Sequence, residues 1–269
     1  MRAAQAGNDT RLRPRPGVPI VRSVERAAAI LRAFSPGETH LSLAELSRRT
    51  QLDKSTTRRL LHTLSVVELV EYHEREQAYA LAPGVLMLVP AVNYGRDLRD
   101  VAEPVLARLT EITGATAFLW SFFGSHAMCL DRVKARDLHI DAPWSAIGTR
   151  ISLNCAGGPR VILAHLSAQE RLEILQQALP KHTPFTQTDP AELEAAANLI
   201  RQRGWELAID DYIVGLAGLG VPVFDRTGRF VASISITTLT PSLPLENGEP
   251  RHLRAMLDAA AEIGVRLQP

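Results

Sequence analysis

Between Asp53 and Val67 the sequence spaces two arginines, a serine and a histidine so that a single helix turns all four to one side. At about 100° per residue, Ser55, Arg58, Arg59 and His62 cluster around one pole, and Thr57, Leu60, Leu61 and Leu64 gather on the other. That polar stripe suits the reading of double-stranded DNA. Arginine bonds guanine edges bidentately, and serine or histidine reaches bases or phosphates from a helix in the major groove. Lys54 and Thr56 in the first turn, Ser42 at the head of the preceding helix and Arg75 at a hairpin tip complete the candidate contacts. One charged helix face alone would simply be solvated.

A second group lies downstream. Gly157 and Gly158 precede the apolar run Val161-Ile-Leu-Ala164 and offer approachable amides at a helix start, where an anion such as a carboxylate is stabilised. Ser233, Ser235 and Thr237 share one strand face while the intervening isoleucines face a core. Asp210 and Asp211 follow a strand, where they either cap a turn or touch a ligand. Trp120 and Trp144 either line an aromatic cavity or sit in the core. Cys129 and Cys155 are the only cysteines and show no CxxC spacing, which argues against a disulfide framework or zinc site. Pairing Cys155 with His126, His139 or His165 as a nucleophile has no local motif to order it. No catalytic residue, metal ligand or cofactor is expected.

The elements that must carry these residues follow from caps and periodicity. Ser42 with Glu45 forms a capping box for a short helix, Thr50-Gln51-Leu52 turns, and Asp53 caps the next helix. Leu69–Tyr72 and Ala78–Leu81 alternate as two strands around a polar turn, a wing. Upstream, Ser23 is expected to cap a helix to Phe34, ended by Ser35-Pro-Gly37. Residues 1–19, with three arginines and two prolines in Arg11–Pro16, read as a disordered basic arm. Beyond Pro83-Gly84, Val85–Val89 is expected to form a helix that buries its apolar surface against a second subunit or a neighbouring domain. A helix from Asp97 to Thr113 contains Pro104, which should kink it or mark a later start. Strands at Thr116–Phe123, Ala127–Val133, Leu138–Ala142, Trp205–Ile209, Gly218–Phe224 and Arg229–Thr237 alternate with capped helices opened by Ser167 and Asp189. A last amphipathic helix runs from about Arg251 to Arg266. The expected architecture is a winged helix-turn-helix (20–82), a linker helix (83–96) and an α+β domain with an antiparallel sheet flanked by helices (97–269).

Charge divides the same way. Residues 1–95 hold 13 Lys and Arg against 9 Asp and Glu, a balance of +4, and the remainder holds 17 against 20, a balance of −3. The basic excess lies where phosphate must be neutralised, but it is modest, so two copies acting as a dimer are expected. There is no apolar run of about 18 residues to span a membrane and no signal-peptide core. A cytoplasmic location follows as the expectation.

Six blocks in order give the chain a resemblance to the IclR family of bacterial transcriptional regulators over about residues 20–267. They are Val21–Ala27, Leu41–Leu46, Asp53–Leu61, Leu130–Val133, Gly204-Trp205, and Pro222–Gly228 leading into Ala232–Ser235. The resemblance implies an N-terminal winged helix, a linker helix and a C-terminal effector-binding domain of GAF-like fold. It implies a dimer or tetramer that represses or activates an operon of small-molecule catabolism. It also places Ser235 and Thr237 at effector-facing positions and Gly218 at a pocket position; with Asn154, Gly157, Gly158, Asp210 and Ser233 these make up the candidate effector site. Two departures stand out: Pro159-Arg160 replaces the usual Gly-Lys, and Asn154 replaces a frequent histidine. Gly218, where several members carry a side chain, is expected to leave room for an aromatic or alicyclic acid. The alternative from another class is a GAF-type redox enzyme resembling a methionine sulfoxide reductase, whose chemistry generally uses three cysteines.

Overall fold

The computed structural model describes residues 19–267 except 36, 93, 94 and 137–144, and of Arg96 the backbone alone. The expected basic arm, the strand at Leu138–Ala142, Trp144 and His139 therefore lie outside the described residues. The chain divides into two compact units, 1–93 and 94–269.

In the first unit, α1 (Arg22–Arg32), α2 (Leu43–Thr50) and α3 (Lys54–Val66) precede a hairpin of β1 (Val70–His73) and β2 (Ala78–Leu81). Helix α1 starts one residue before Ser23. Val21 stands at its N-cap without a side-chain bond, so the expected Ser23 cap is not made and the helix ends at Arg32. Ser42 and Asp53 cap α2 and α3 as their types require. The Ser42 hydroxyl and the Glu45 carboxylate exchange bonds with each other's amides, and Asp53 accepts from the Thr56 amide. Gln51 takes the left-handed conformation (φ 56°) that turns the chain between the two helices. Ile30, Leu41, Leu46, Leu61, Leu64 and Val70 form the core. Leu41 also bridges to Tyr79, adding a third short strand to the wing. Residues Pro83–Ala91 form 3-10 turns rather than an α-helix, and Leu86, Met87, Leu88 and Val89 are all exposed.

The second unit is built on a six-stranded antiparallel sheet ordered β5-β4-β3-β8-β7-β6. Its strands are β3 (Thr116–Phe123), β4 (His126–Val133), β5 (Arg150–Ser152), β6 (Glu206–Ile209), β7 (Leu216–Phe224) and β8 (Phe230–Leu239). Alternation sends Leu119, Leu219, Val221, Ile234 and Ile236 to one face. There they pack against α4 (Arg96–Thr113) and α8 (Leu253–Arg266). Pro104 lies inside α4, which continues through it to Gly114 in the left-handed conformation. The other face carries Phe118, Trp120, Gly218, Gly220, Ser233 and Ser235. It receives α5 (Gly157–His165), with α6 (Ala168–Leu175) and α7 (Pro190–Arg203) outside it. A small hairpin, β9 (Leu245–Glu246) and β10 (Glu249–Pro250), precedes α8. It was not expected from the sequence, nor was the three-residue β5; both are too short to show a period.

Candidate nucleic-acid interface and effector site

The recognition stripe forms as the spacing requires. Thr57, Leu61 and Leu64 are buried while Lys54, Ser55, Arg58, Arg59 and His62 are exposed. Among the described residues, no ion pair involves Lys54, Arg58, Arg59 or His62. Cations with an internal role behave differently: Arg49 on α2 donates to Glu38 at 2.5 Å and to the Ala33 carbonyl. Two of the candidate hydroxyls are spent on capping. Ser55 donates to Asp53 at 2.6 Å, and that bond, with the Thr56 amide, holds the Asp53 carboxyl well below its usual range. Ser42 donates to Glu45 and accepts from its amide. Both serines position helices here. Arg75 is exposed in the wing turn, flanked by Glu74 and Glu76, and Glu76 pairs with His40 at 3.6 Å. His73 pairs with Glu71 at 3.0 Å, and with Glu71, Glu74 and Glu76 against Arg75 the wing is acidic on balance.

On the second unit's sheet, one member of the expected polar ladder bonds α5 and another bonds within the sheet. Ser233 donates to the Gly158 carbonyl at 2.8 Å, and Ser235 accepts from the Trp120 indole at 2.9 Å. Glycine is needed at the contact itself. A Cβ on Gly157 would sit 2.4 Å from the Gly218 carbonyl oxygen, and one on Gly158 would sit 2.5 Å from the Trp120 ring. These glycines therefore face the sheet on their bare side. Gly218 differs: a Cβ there would fit in ordinary contact, with the Gly157 amide nitrogen at 3.4 Å and Thr237 Oγ1 at 3.7 Å. Trp120 is core, stacked on Phe118. Thr237 stays partly exposed. Pro159 is the third residue of α5, where its missing amide is one of those left over at any helix start, so the helix forms undisturbed.

Asp210 takes the turn-capping role. It is left-handed (φ 58°), and its carboxylate accepts from the Gly215 amide and the Thr240 hydroxyl. Asp211 instead reaches α5, both oxygens 3.1 Å from the amide of Ala156, whose φ of 59° and ψ of 150° are costly for a non-glycine residue. Arg160 lies 2.8 Å from Glu206 and 3.8 Å from Asp211, and Arg203 also pairs with Glu206. Burial raises both carboxyls, that of Asp211 to about 6. Arg160, Arg203 and Glu206 went unrecognised as a group because 43 positions separate Arg160 from Arg203, and no local pattern joins them. Asn154 is fully buried, and its amide donates to the carbonyls of Pro180 and Gln187 at 3.0 and 2.8 Å. Its Oδ1 is buried with no hydrogen-bond partner among the described residues.

Cys129 and Cys155 are both buried, and burial pushes each thiol up to about 12. Each therefore stays protonated at neutral pH, without the thiolate that thiol chemistry needs. His165 hydrogen-bonds the Val161 carbonyl and stacks on Phe230. Among the described residues no group of His, Cys, Asp or Glu could hold a metal ion, and no helix is long and apolar enough to cross a membrane.

Known proteins share this arrangement. Residues 23–74 match the IclR helix-turn-helix domain and residues 91–265 match the bacterial transcriptional regulator IclR C-terminal domain. The HTH-type transcriptional regulator BhcR of Paracoccus denitrificans is 30% identical over 253 residues, covering 93% of this chain and 88% of that protein. The Pca regulon regulatory protein of Pseudomonas putida is 28% identical over 242 residues, covering 90% and 82%. Among solved structures, an IclR homologue from Microbacterium hydrocarbonoxydans complexed with 4-hydroxybenzoate superposes with a TM-score of 0.73. It is 21% identical, over 91% of this chain and 98% of that one.

Proposed function

This chain belongs to the IclR family of transcriptional regulators, and from that premise we propose that it reads a two-fold related operator through α3 and the wing, as a dimer whose affinity is set by a small organic acid. The family makes it a DNA-binding regulator with an effector-binding C-terminal domain. The observation that carries the proposal is the outward stripe on α3: Arg58, Arg59 and His62 are exposed and free of ion pairs among the described residues, on a helix fixed by its Asp53 cap.

A dimer is proposed because one short reading helix makes few base contacts, and because Leu86–Val89 leave contiguous apolar surface exposed. For the effector, the start of α5 is the proposed seat. Gly157 and Gly158 supply amides at the positive end of a helix, Thr237 supplies a partly exposed hydroxyl, and the unpartnered Oδ1 of Asn154 would accept from a ligand hydroxyl. Aromatic hydroxy acids suit these groups, consistent with the 4-hydroxybenzoate held by the Microbacterium homologue. An operon of organic-acid catabolism is the proposed target. Binding must favour one DNA-binding state, since equal affinity for both would shift nothing. Footprinting the DNA upstream of its own and neighbouring genes, with and without 4-hydroxybenzoate and other carboxylates, is the test. A protected two-fold site whose occupancy a carboxylate changes is expected. Protection that no carboxylate alters would remove the organic acid from the proposal.

A further inference from the structure

Helices α1 and α3 leave between them a groove of about 530 Å³ beside the recognition stripe. Its apolar lining comes from Val24 and Ala27 of α1 and Leu60 and Leu64 of α3, with Ser23, Thr56 and Thr63 beside them. Its rim is cationic: Arg26 and Arg59 face it from the two helices, and no carboxylate lines it. Both arginines are exposed, and no ion pair among the described residues involves either. The groove is continuous with the base-reading face, since Arg59 lines it and Arg58 precedes Arg59 on the same turn.

An apolar lining between two guanidinium groups matches a sugar–phosphate strand, with deoxyribose carbons on the lining and phosphates on the rim. A strand leaving the edge of the major groove at Arg58 would pass directly into it. The charge does not suit the chain's own N-terminal arm, whose Arg11, Arg13 and Arg15 would meet Arg26 and Arg59. We propose that the groove between α1 and α3 seats the DNA sugar–phosphate backbone, which makes Arg26 of α1 a phosphate-binding residue and turns Arg59 from bases toward phosphates. This rests on the assignment of α3 to the major groove.

The test is a salt titration of binding by the full chain, on the footprinted upstream fragment and on a random-sequence duplex, between about 50 and 200 mM salt. Four proteins are compared: wild type, Arg26→Gln, Arg32→Gln and Arg58→Ala. Arg32 is an exposed arginine in the last turn of the same helix and does not line the groove, so its variant controls for the lost charge. Arg26→Gln should weaken both duplexes by the same factor and reduce the slope of log affinity against log salt by about 1.8 for the proposed dimer, about 0.9 for each protomer's lost phosphate contact. Arg32→Gln should leave the slope near wild type. An Arg26→Gln protein indistinguishable from Arg32→Gln would overturn the inference. So would one whose sedimentation shows lost self-association with the salt slope intact, since the groove would then seat a second copy. Arg58→Ala separates the two levels. If it lowers the preference for the upstream fragment while Arg26→Gln does nothing, the groove assignment alone falls. If it leaves that preference intact, the major-groove assignment of α3 falls, whatever Arg26 does.

Discussion

The stripe on α3 and the ladder on β8 are both rows of polar side chains set by one element's periodicity, and they are put to opposite use. On α3 the polar groups point outward, and Arg58, Arg59 and His62 form no ion pair among the described residues. On β8 the polar groups point inward, and Ser233 and Ser235 are bonded to Gly158 and Trp120, 75 and 115 positions away. Unspent polar groups on a rigid, capped helix are available to DNA. Spent ones fix the fold, and Ser233 bonds the helix whose N-terminus forms the proposed effector seat. A substitution in the first region should therefore change binding and spare stability, and one in the second should do the reverse.

The largest effect that sharpens this contrast is expected at the glycine contact. Gly157→Ala forces a Cβ against the Gly218 carbonyl, which is backbone and cannot give way, so a loss of about 3 kcal/mol is expected. Gly218→Ala, whose nearest contact is 3.4 Å, should cost less than about 1 kcal/mol. Urea unfolding of both variants measures the difference, and equal costs would mean that α5 does not lie on the sheet as described. Next comes Ser235→Ala, which strands the buried Trp120 indole N–H and should cost about 1–3 kcal/mol. Operator binding without effector should be unchanged while the variant remains folded.

The smaller effect is a pH dependence. An effector carboxylate at the start of α5 would lie near Asp211, whose other neighbours are Arg160, Glu206 and Cys155. The bound anion raises the Asp211 carboxyl further above about 6, so the complex binds more protons than the free protein. Affinity should then be flat below about pH 6, where Asp211 is already protonated, and fall by up to about tenfold per unit above it. Calorimetry with 4-hydroxybenzoate from pH 5.5 to 8 checks this. Asp211→Asn should abolish the dependence, and a variant that keeps it would place the anion elsewhere.

What was legible in the sequence was what neighbours decide. The Ser42–Glu45 and Ser167–Glu170 boxes, the Asp53 and Asp189 caps and the Gly114 and Gly204 stops each involve partners a few residues apart, and all are present. Alternation likewise placed the isoleucines and serines of β8 on opposite faces. The sequence did not reveal who meets whom across the fold. The serine ladder, the Gly157–Gly218 contact and the Arg160–Glu206–Asp211 cluster join residues 46 to 115 positions apart. At Gly218 the missing side chain leaves space for a Cβ, and the nearest atom beyond that space belongs to the backbone of α5, 61 positions away in the chain. Local strain was equally hidden, since nothing in its neighbours marks Ala156 for a left-handed φ.

The most direct test of the outward stripe is the ratio of affinities for the footprinted fragment and a random duplex, for wild type and Arg58→Ala at one salt concentration. A lost bidentate contact should reduce that ratio by the equivalent of about 1–3 kcal/mol, with thermal stability within about 0.5 kcal/mol of wild type. A ratio left intact, or one that falls only together with folding stability, would contradict the assignment of α3 to base reading.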